Sequence, residues 1–238
     1  YVYIKFHLLH FIFTQMSEVE KQKEEVPDFV VKRMEMFNSL EDQTPKVSPE
    51  SIKIILLPPN SSNQDEKGEE INGVAGQTTP LQIWKEKMKE INAITCSVDG
   101  RLWDLQKPLV SDCHLIFITF DDERGKSVFW HSSAHILGAA IELIFGRELA
   151  IGPSTESGFF YDFDLGEEKI GSAENQLKKV SDLCEKLSKN QSDFERKMIT
   201  REQAMNLFES NKYKKEILSK IEPGSLVSVY RTGSFVDL

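Results

Sequence analysis

The stretch that decides the fold runs from Ser51 to Phe120: SIKIILLPPNSSNQDEKGEEINGVAGQTTPLQIWKEKMKEINAITCSVDGRLWDLQKPLVSDCHLIFITF. Ser51 to Leu57 is a β-branched and leucine-rich run stopped by Pro58-Pro59, which reads as a strand. Asn60 to Glu69 is polar and turn-like, a long hairpin loop, and Glu70 to Ala75 supplies the returning strand. A helix then starts at Thr79-Pro80. The Thr79 hydroxyl can accept from the orphan amides, and proline suits the first helical position. Leu81, Trp84 and Met88 form its buried stripe, with Ile91 closing it. Ala93 to Ser97 is a strand, Asp99-Gly100 a tight turn, Arg101 to Leu105 its partner, and His114 to Phe120 the last strand.

The order is therefore strand, strand, helix and three short strands. One helix laid across a small mixed sheet buries all these apolar faces together, which is the shape of a ubiquitin-like β-grasp within an α+β chain. Before it, Glu41 to Pro49 is a polar linker with two prolines, and Val19 to Leu40 reads as a peripheral helix. Tyr1 to Thr14 is apolar but shorter than the about 20 residues a membrane-spanning helix needs. Met16-Ser17-Glu18-Val19-Glu20 is an ordinary polar start, which favours reading the residues upstream of it as extraneous over reading them as a targeting segment.

After Phe120 the pattern changes. Asp121 to Gly125 is a charged connector. Ser127 to Phe145 is helical, with Trp130, Ala134, Leu137, Ile141 and Ile144 at alternating spacings of four and three, and Gly146 ends it. Glu148 to Ile151 and Gly158 to Leu165 read as strands around Gly152-Pro153, and Ser172 to Asn190 as a long amphipathic helix. Phe194 to Ile199 is strand-like, and Thr200-Arg201-Glu202-Gln203 is a capping-box signature. Tyr213 to Ile221 is a short basic helix and Leu226 to Tyr230 a strand. No internal repeat is visible.

The chain has 238 residues, 39% of them apolar and 28% charged, the composition of a folded globular chain. Its formal charge of -9 excludes non-specific nucleic-acid binding by bulk electrostatics. Any such contact falls to a local patch, and Glu195 to Arg231 is one, with eight Lys/Arg against five Glu. The same stretch also reads as a solvated basic helix face. Three widely separated cysteines, Cys96, Cys113 and Cys184, have no metal-ligand spacing and suit reduced thiols in a cytosolic-type compartment.

His131 and His135 stand four apart on the Ser127 helix, so both imidazoles point to one side. Gly138 keeps that face low, so the pair can line a cleft that a substrate enters. By itself the pair also reads as two half-exposed helix histidines or a metal pair. It lacks the glutamate of the HExxH zinc-peptidase pattern, which argues against a metalloprotease.

The wider string is more specific. His131-Ser132-Ser133-Ala134-His135-Ile136-Leu137-Gly138 is followed by Ile151-Gly152-Pro153, Gly158-Phe159-Phe160-Tyr161-Asp162, Lys212-Tyr213-Lys214 and Val229-Tyr230-Arg231-Thr232-Gly233-Ser234-Phe235-Val236-Asp237-Leu238. This series resembles, block by block and in order, the second, editing domain of eukaryotic-type threonyl-tRNA synthetases. Thr78-Thr79-Pro80-Leu81-Gln82-Ile83 and Arg101-Leu102-Trp103-Asp104-Leu105 are similar to the family's TGS domain, a β-grasp. The likeness covers Ser51 to Leu238. It implies an extension over residues 1–50, a TGS domain over 51–121 and an editing domain over 125–238, incomplete at its C-terminus.

In that family the editing domain hydrolyses serine from wrongly charged tRNA. Serine lacks only one methyl of threonine, and a methyl supports only about 10- to 200-fold discrimination, so a second pocket restores fidelity. The resemblance implies that His131 and His135 hold the terminal ribose and seryl group and help position a water. Lys214 would stabilise charge developing on oxygen or orient that water. Tyr161 would wall the pocket beside Gly152 and Pro153 and offer a hydroxyl. Tyr230 and Asp237 would lie on its far side, with Asp237 accepting from the amine or a water. The partner so implied is the 3′ end of tRNA(Thr), with no metal at the site.

The chain departs from the pattern in two places. The family's aspartate at the position of Asp237 is followed within a few residues by a cysteine and a histidine, and this sequence ends at Leu238. Phe160 stands where many relatives carry a second tyrosine. The expectation is an N-terminal fragment without the core that uses ATP, magnesium and zinc, without aminoacylation and with little or no deacylation. It is expected to be monomeric although the parent is a homodimer, cytoplasmic with a mitochondrial form also open, and not in a membrane. Two other readings stand beside it: a zinc-dependent editing protein of the alanyl-tRNA type, and a non-catalytic TGS-containing RNA- or protein-binding module.

Overall fold

The computed structural model describes residues 26–164, 173–190 and 194–238. The readings of Tyr1 to Thr14, of the start at Met16 and of the first part of the Val19 helix lie outside the described residues, as do Leu165 and Ser172. The architecture is mixed α+β, divided into two compact units. The first contains residues 45–133 and 154–158; the second contains residues 26–44, 134–153 and 159–238. The division falls within one helix, between Ser133 and Ala134.

The helix α1, Asp28–Ser39, belongs to the second unit, and the first unit opens with strand β1, Ser51–Leu56. It continues with β2 (Glu69–Val74), helix α2 (Pro80–Lys87), β3 (Ala93–Val98), β4 (Arg101–Trp103) and β5 (Cys113–Thr119). These strands make one sheet in the order β2-β1-β5-β3-β4. Only the β1–β5 pair is parallel; it closes the sheet through the centre, as the strand-strand-helix-strand order requires. Alternation decides which face is covered: Ile52, Ile54 and Leu56 are buried while Ser51 and Lys53 are exposed. Ile83 and Trp84 of α2 meet those residues and Cys96, Leu115 and Phe117 in one core. Thr79 and Gln82 form a reciprocal capping box at the start of α2, with Pro80 in the first turn. Asp99 and Gly100 both take positive φ, 48° and 81°, as a tight two-residue hairpin turn requires.

Helix α3 spans Glu123–Phe145 and so absorbs part of the expected Asp121 to Gly125 connector. The cause is Asp122, whose carboxylate accepts from the Arg124 amide at 2.8 Å and caps the helix. By length and composition alone α3 could cross a membrane. Its burial of Ala134, Ala139 and Ile141 in the core of the second unit, and the ion pair of Glu142, are those of a core helix.

The strands expected at Glu148 to Ile151 and Gly158 to Leu165 are much reduced. Leu149 and Phe163 make an isolated bridge, flanked by the Ala150–Asp162 and Asp162–Ile151 backbone bonds, both 2.8 Å. Between them lie only two-residue strands, β6 (Ser154–Thr155) and β7 (Gly158–Phe159). Pro153 has no amide to give a ladder, which stops the first strand before it can extend.

The rest of the second unit is α4 (Ala173–Lys189), β8 (Phe194–Thr200), α5 (Arg201–Leu207), α6 (Lys212–Ser219), β9 (Leu226–Thr232) and β10 (Phe235–Asp237). The three strands form an antiparallel sheet in the order β10-β9-β8. Thr200 and Gln203 form the second capping box. The sheet, α5, α6 and α1 share one core: Phe37, Ile199, Leu207, Phe208, Leu218, Val229 and Val236. Helix α1 was expected to be peripheral. It is not: Val30 and Phe37 are fully covered, because Val30, Arg33 and Phe37 recur at three and four residues and present one buried face.

Candidate functional site

Of the residues singled out above, Tyr161, Lys214 and Asp237 are brought together, all inside the second unit and each at most 8% exposed. Asp237 is the last residue of β10, with its amide and carbonyl neighbours fixed by pairing to β9. Lys214 is in the first turn of α6, where Asn211 caps the helix by accepting from the Tyr213 and Lys214 amides, both at 3.0 Å. Asn211 is itself tied down, donating to the Leu149 carbonyl at 2.8 Å. The result is a closed network. The Lys214 ammonium lies 2.5 Å from Asp237 Oδ1 and donates to the Tyr161 hydroxyl at 3.2 Å, and that hydroxyl donates to Asp237 Oδ2.

His135 stands beside this group. Its ring meets Phe235 edge-on at 5.7 Å and Phe194 edge-on at 6.1 Å, and it is 3% exposed. His131 is half-buried one turn earlier on the same face of α3. The open cleft expected along the two histidines is therefore closed at His135. Nor is the space over Gly138 open for a substrate. A Cβ there would lie 2.8 Å from both Leu149 Cδ1 and Tyr161 Cε2 and 3.0 Å from Phe235, so the missing side chain makes room for the fold's own residues. Tyr230, 8% exposed, is paired with Asp237 across β9 and β10, which places both on one face of the sheet. Pro153 and Phe160 are exposed.

Gly152 supports the Tyr161 ring. A Cβ at that position would lie 2.4 Å from both Cδ2 and Cε2 and 2.8 Å from Cγ, so the whole ring would have to move. Gly152→Ala is expected to cost about 1–3 kcal/mol by overpacking and to part the phenol from Asp237. Urea unfolding followed by fluorescence measures it; a loss within error of zero would show that the ring has room to spare.

Burial is the largest influence on Asp237 and would raise its carboxyl. The Lys214 ammonium, the His135 imidazole and the bonds from Lys214 and Tyr161 outweigh it and hold the group down to about 2. The Tyr161 phenol is pushed far above its ordinary range, by burial first and the Asp237 charge second. Asp237 is thus the anion and Tyr161 a neutral donor.

Three further residues complete the group and were not singled out from the sequence: Arg33, Glu142 and Asn211. Arg33 grips Glu142 with both guanidinium nitrogens, Nη1 to Oε1 at 3.0 Å and Nη2 to Oε2, in a pair 6% and 2% exposed. Burial pushes the Glu142 carboxyl up and Arg33 opposes it. The signal was present: Glu142 is a lone carboxylate in the apolar run Ile136 to Phe145, seven residues after His135 on the same helix face. Among the described residues no group of three or more His, Cys, Asp or Glu side chains is placed to hold a metal ion.

No protein-family model matches the chain. Curated relatives do. A protein of Dictyostelium discoideum named probable threonine--tRNA ligase 1, cytoplasmic, is 40% identical over 217 residues, 90% of this chain and 30% of that protein. The mitochondrial threonine--tRNA ligase of Mus musculus is 42% identical over 175 residues, 72% of this chain and 24% of its own. The cytoplasmic threonine--tRNA ligase 1 of Homo sapiens is 34% identical over 214 residues, 89% of this chain and 29% of its own. The chain is homologous, over most of its length, to aminoacyl-tRNA ligases. They are the ligases for threonine, and the matches are consistent with the amino-terminal part of a eukaryotic-type threonine--tRNA ligase. The chain spans less than a third of the length of these relatives.

Proposed function

We propose that residues 125–238 are the proofreading part of a threonine--tRNA ligase, a site that hydrolyses serine from mischarged seryl-tRNA(Thr), and that residues 51–121 are its TGS domain. The observation that carries the reading is the joining of Tyr161, Lys214 and Asp237, residues from three separate sequence blocks, into one network beside His135. Buried charge is costly to maintain, and active sites are where paired, strongly perturbed ionisable groups cluster.

The chemistry needed is acyl-ester hydrolysis. A water must be aligned on the ester carbonyl, and the charge developing on the carbonyl oxygen must be stabilised. Lys214 is the cation for that charge, Tyr161 a neutral donor, and Asp237 an acceptor for the seryl amine or the water. His131 and His135 hold the terminal ribose and the seryl group. In the described conformation His135 is covered by Phe194 and Phe235, so entry of the tRNA 3′ end requires those ring edges to part. Gly152, Pro153 and Tyr230 complete the wall. No metal is assigned to the group. ATP, magnesium and zinc would serve the aminoacylation core of a whole ligase, whose partner is tRNA(Thr). The relatives include cytoplasmic and mitochondrial proteins, and the acidic residues after Met16 favour the cytoplasm.

The test is release of labelled serine from seryl-tRNA(Thr) by the 238-residue chain and by a form extended past Leu238 through the cysteine and histidine of the family pattern. Release by the extended form that falls at least about 100-fold in His135→Ala supports the reading. No release by the extended form with His131 and His135 intact defeats it.

A further inference from the structure

Asparagine at position 211 supplies more than a helix start. Serine, aspartate and asparagine cap a helix about equally well, yet Asn211, fully covered, does two things at once. Its Oδ1 accepts from the Tyr213 and Lys214 amides, and its Nδ2 donates to the Leu149 carbonyl in a buried bond of 2.8 Å. Those partners fix the orientation of the side-chain amide, since only this way do two donors face its oxygen and a carbonyl its nitrogen. The main chain of Asn211 is satisfied as well: its N–H donates to the Phe208 carbonyl and its own carbonyl accepts from Lys215, both at 3.0 Å. An ionised aspartate has no proton to give Leu149, and serine is too short to reach it while capping.

The far end of that bond is part of the frame that holds Tyr161. Leu149 bridges Phe163, and the flanking backbone bonds join Ala150 and Ile151 to Asp162, the neighbour of Tyr161. Leu149 and Tyr161 also share one apolar cluster. Asn211 thus fastens the first turn of α6, where Lys214 stands, to the segment whose phenol Lys214 meets. The other ties between these segments run from the Tyr213 hydroxyl at 2.9 Å and the Lys212 ammonium at 3.3 Å to Asp164. They pass through long side chains at the surface and contribute little. We propose that Asn211 is a positioning residue for Lys214, its buried bond to Leu149 setting where the ammonium stands against Tyr161 and Asp237. Without that bond a cap can still form, but the turn is no longer held against Leu149. The stem of Lys214 is covered and cannot reroute, so it carries the displacement to the ammonium.

That Lys214 serves editing rests on the function proposed above; its placement does not, and is read without tRNA. In the 238-residue chain the Lys214 ammonium is followed by nitrogen-15 NMR at mildly acidic pH, where its proton exchange with water reports how tightly Asp237 and Tyr161 hold it. Asn211→Ser keeps an acceptor for the amides and loses the donor to Leu149. It is expected to speed that exchange about tenfold or more, and Asn211→Ala to do the same. Thr200→Ala removes the cap of α5 in the same unit and is the structural control, expected to leave the exchange unchanged. A wild-type rate in folded Asn211→Ser overturns the proposal, because a cap alone would then suffice. A Thr200→Ala rate raised as far also overturns it, because any loosening of the unit would then have the same effect. If Asn211→Ala does not fold, Asn211→Ser decides alone; if neither folds, the proposal is overturned and Asn211 is a support of the whole unit. Serine release by the extended form tests the other claim. Release that persists in Asn211→Ser while the exchange quickens supports the placement and defeats the use of Lys214 in editing.

Discussion

Phe37→Ala is expected to destabilise the second unit by about 3–5 kcal/mol. Phe37 is fully covered and packs with Ile199, Leu207, Phe208, Leu218, Val229 and Val236, so truncation opens a cavity where the sheet and two helices meet α1. The ring also meets two cations, with Lys197 Nζ at 4.6 Å and the Arg231 guanidinium carbon at 5.5 Å from its centre. Lys197 holds the same end of the helix a second way, donating to the Phe37 and Leu40 carbonyls at 2.9 and 2.8 Å, where orphan acceptors collect. Those bonds use backbone oxygens and survive the substitution, which keeps α1 near its place and leaves the cavity as the main cost. Glu35→Ala, on the exposed face of the same helix, is the control and should fall within about 0.5 kcal/mol of wild type. Urea unfolding of the two variants decides it. A loss below about 1 kcal/mol for Phe37→Ala would mean that α1 is the peripheral helix its sequence suggested.

The buried role of α1 is not carried by local sequence signals. In the first unit every strand alternates or runs apolar between strong punctuation, as with Pro58-Pro59 and Asp99-Gly100, and the two capping boxes at Thr79 and Thr200 are local chemistry. Such elements were legible to within a residue or two. Helix α1 hides a charge, Arg33, between Val30 and Phe37 on its buried face, and a hydrophobic count scores that face as half polar. Its partner Glu142 is more than a hundred residues away, so nothing local announces that the charge is satisfied. The segment after Gly146 failed for another reason. An aromatic run such as Gly158 to Phe163 has the composition of a strand whether or not a partner exists, and only the Leu149–Phe163 bridge with its flanking bonds and the two-residue strands β6 and β7 formed there.

The same limits governed the site. Lys214 sits in a run with Lys212 and Lys215, and charge alone cannot say which lysine turns inward. Helical spacing can: Lys214 and Leu218, four apart, are the two buried residues of α6. The family likeness selected Lys214, Tyr161 and Asp237, and the fold places them in contact. Neither the likeness nor the spacing foretold that His135 is covered, because the rings that meet it edge-on, Phe194 and Phe235, read as ordinary strand apolars.

Asp237→Ala carries the other large expected effect, about 3–5 kcal/mol, because it strands the Lys214 ammonium in a covered site and deprives the Tyr161 hydroxyl of its acceptor. The cost belongs to the orphaned partner more than to the pair. Asp237→Leu combined with Lys214→Met should therefore recover most of the stability, since apolar residues often replace a buried ion pair at little cost. Serine release, on the editing reading, should not recover in that double variant, so stability and activity separate. The pH dependence has a fixed sign. The folded carboxyl is held at about 2, below its unfolded value of 3.8. Its contribution is fully present above the unfolded value and is lost as pH falls through the folded one. The stability gap between wild type and Asp237→Ala should accordingly stay constant from neutral pH to about pH 5 and narrow between about pH 4 and pH 2. A gap that instead widens on acidification would mean that the carboxyl is protonated in the fold, and Asp237 could not then be the anion that the seryl amine or the attacking water needs.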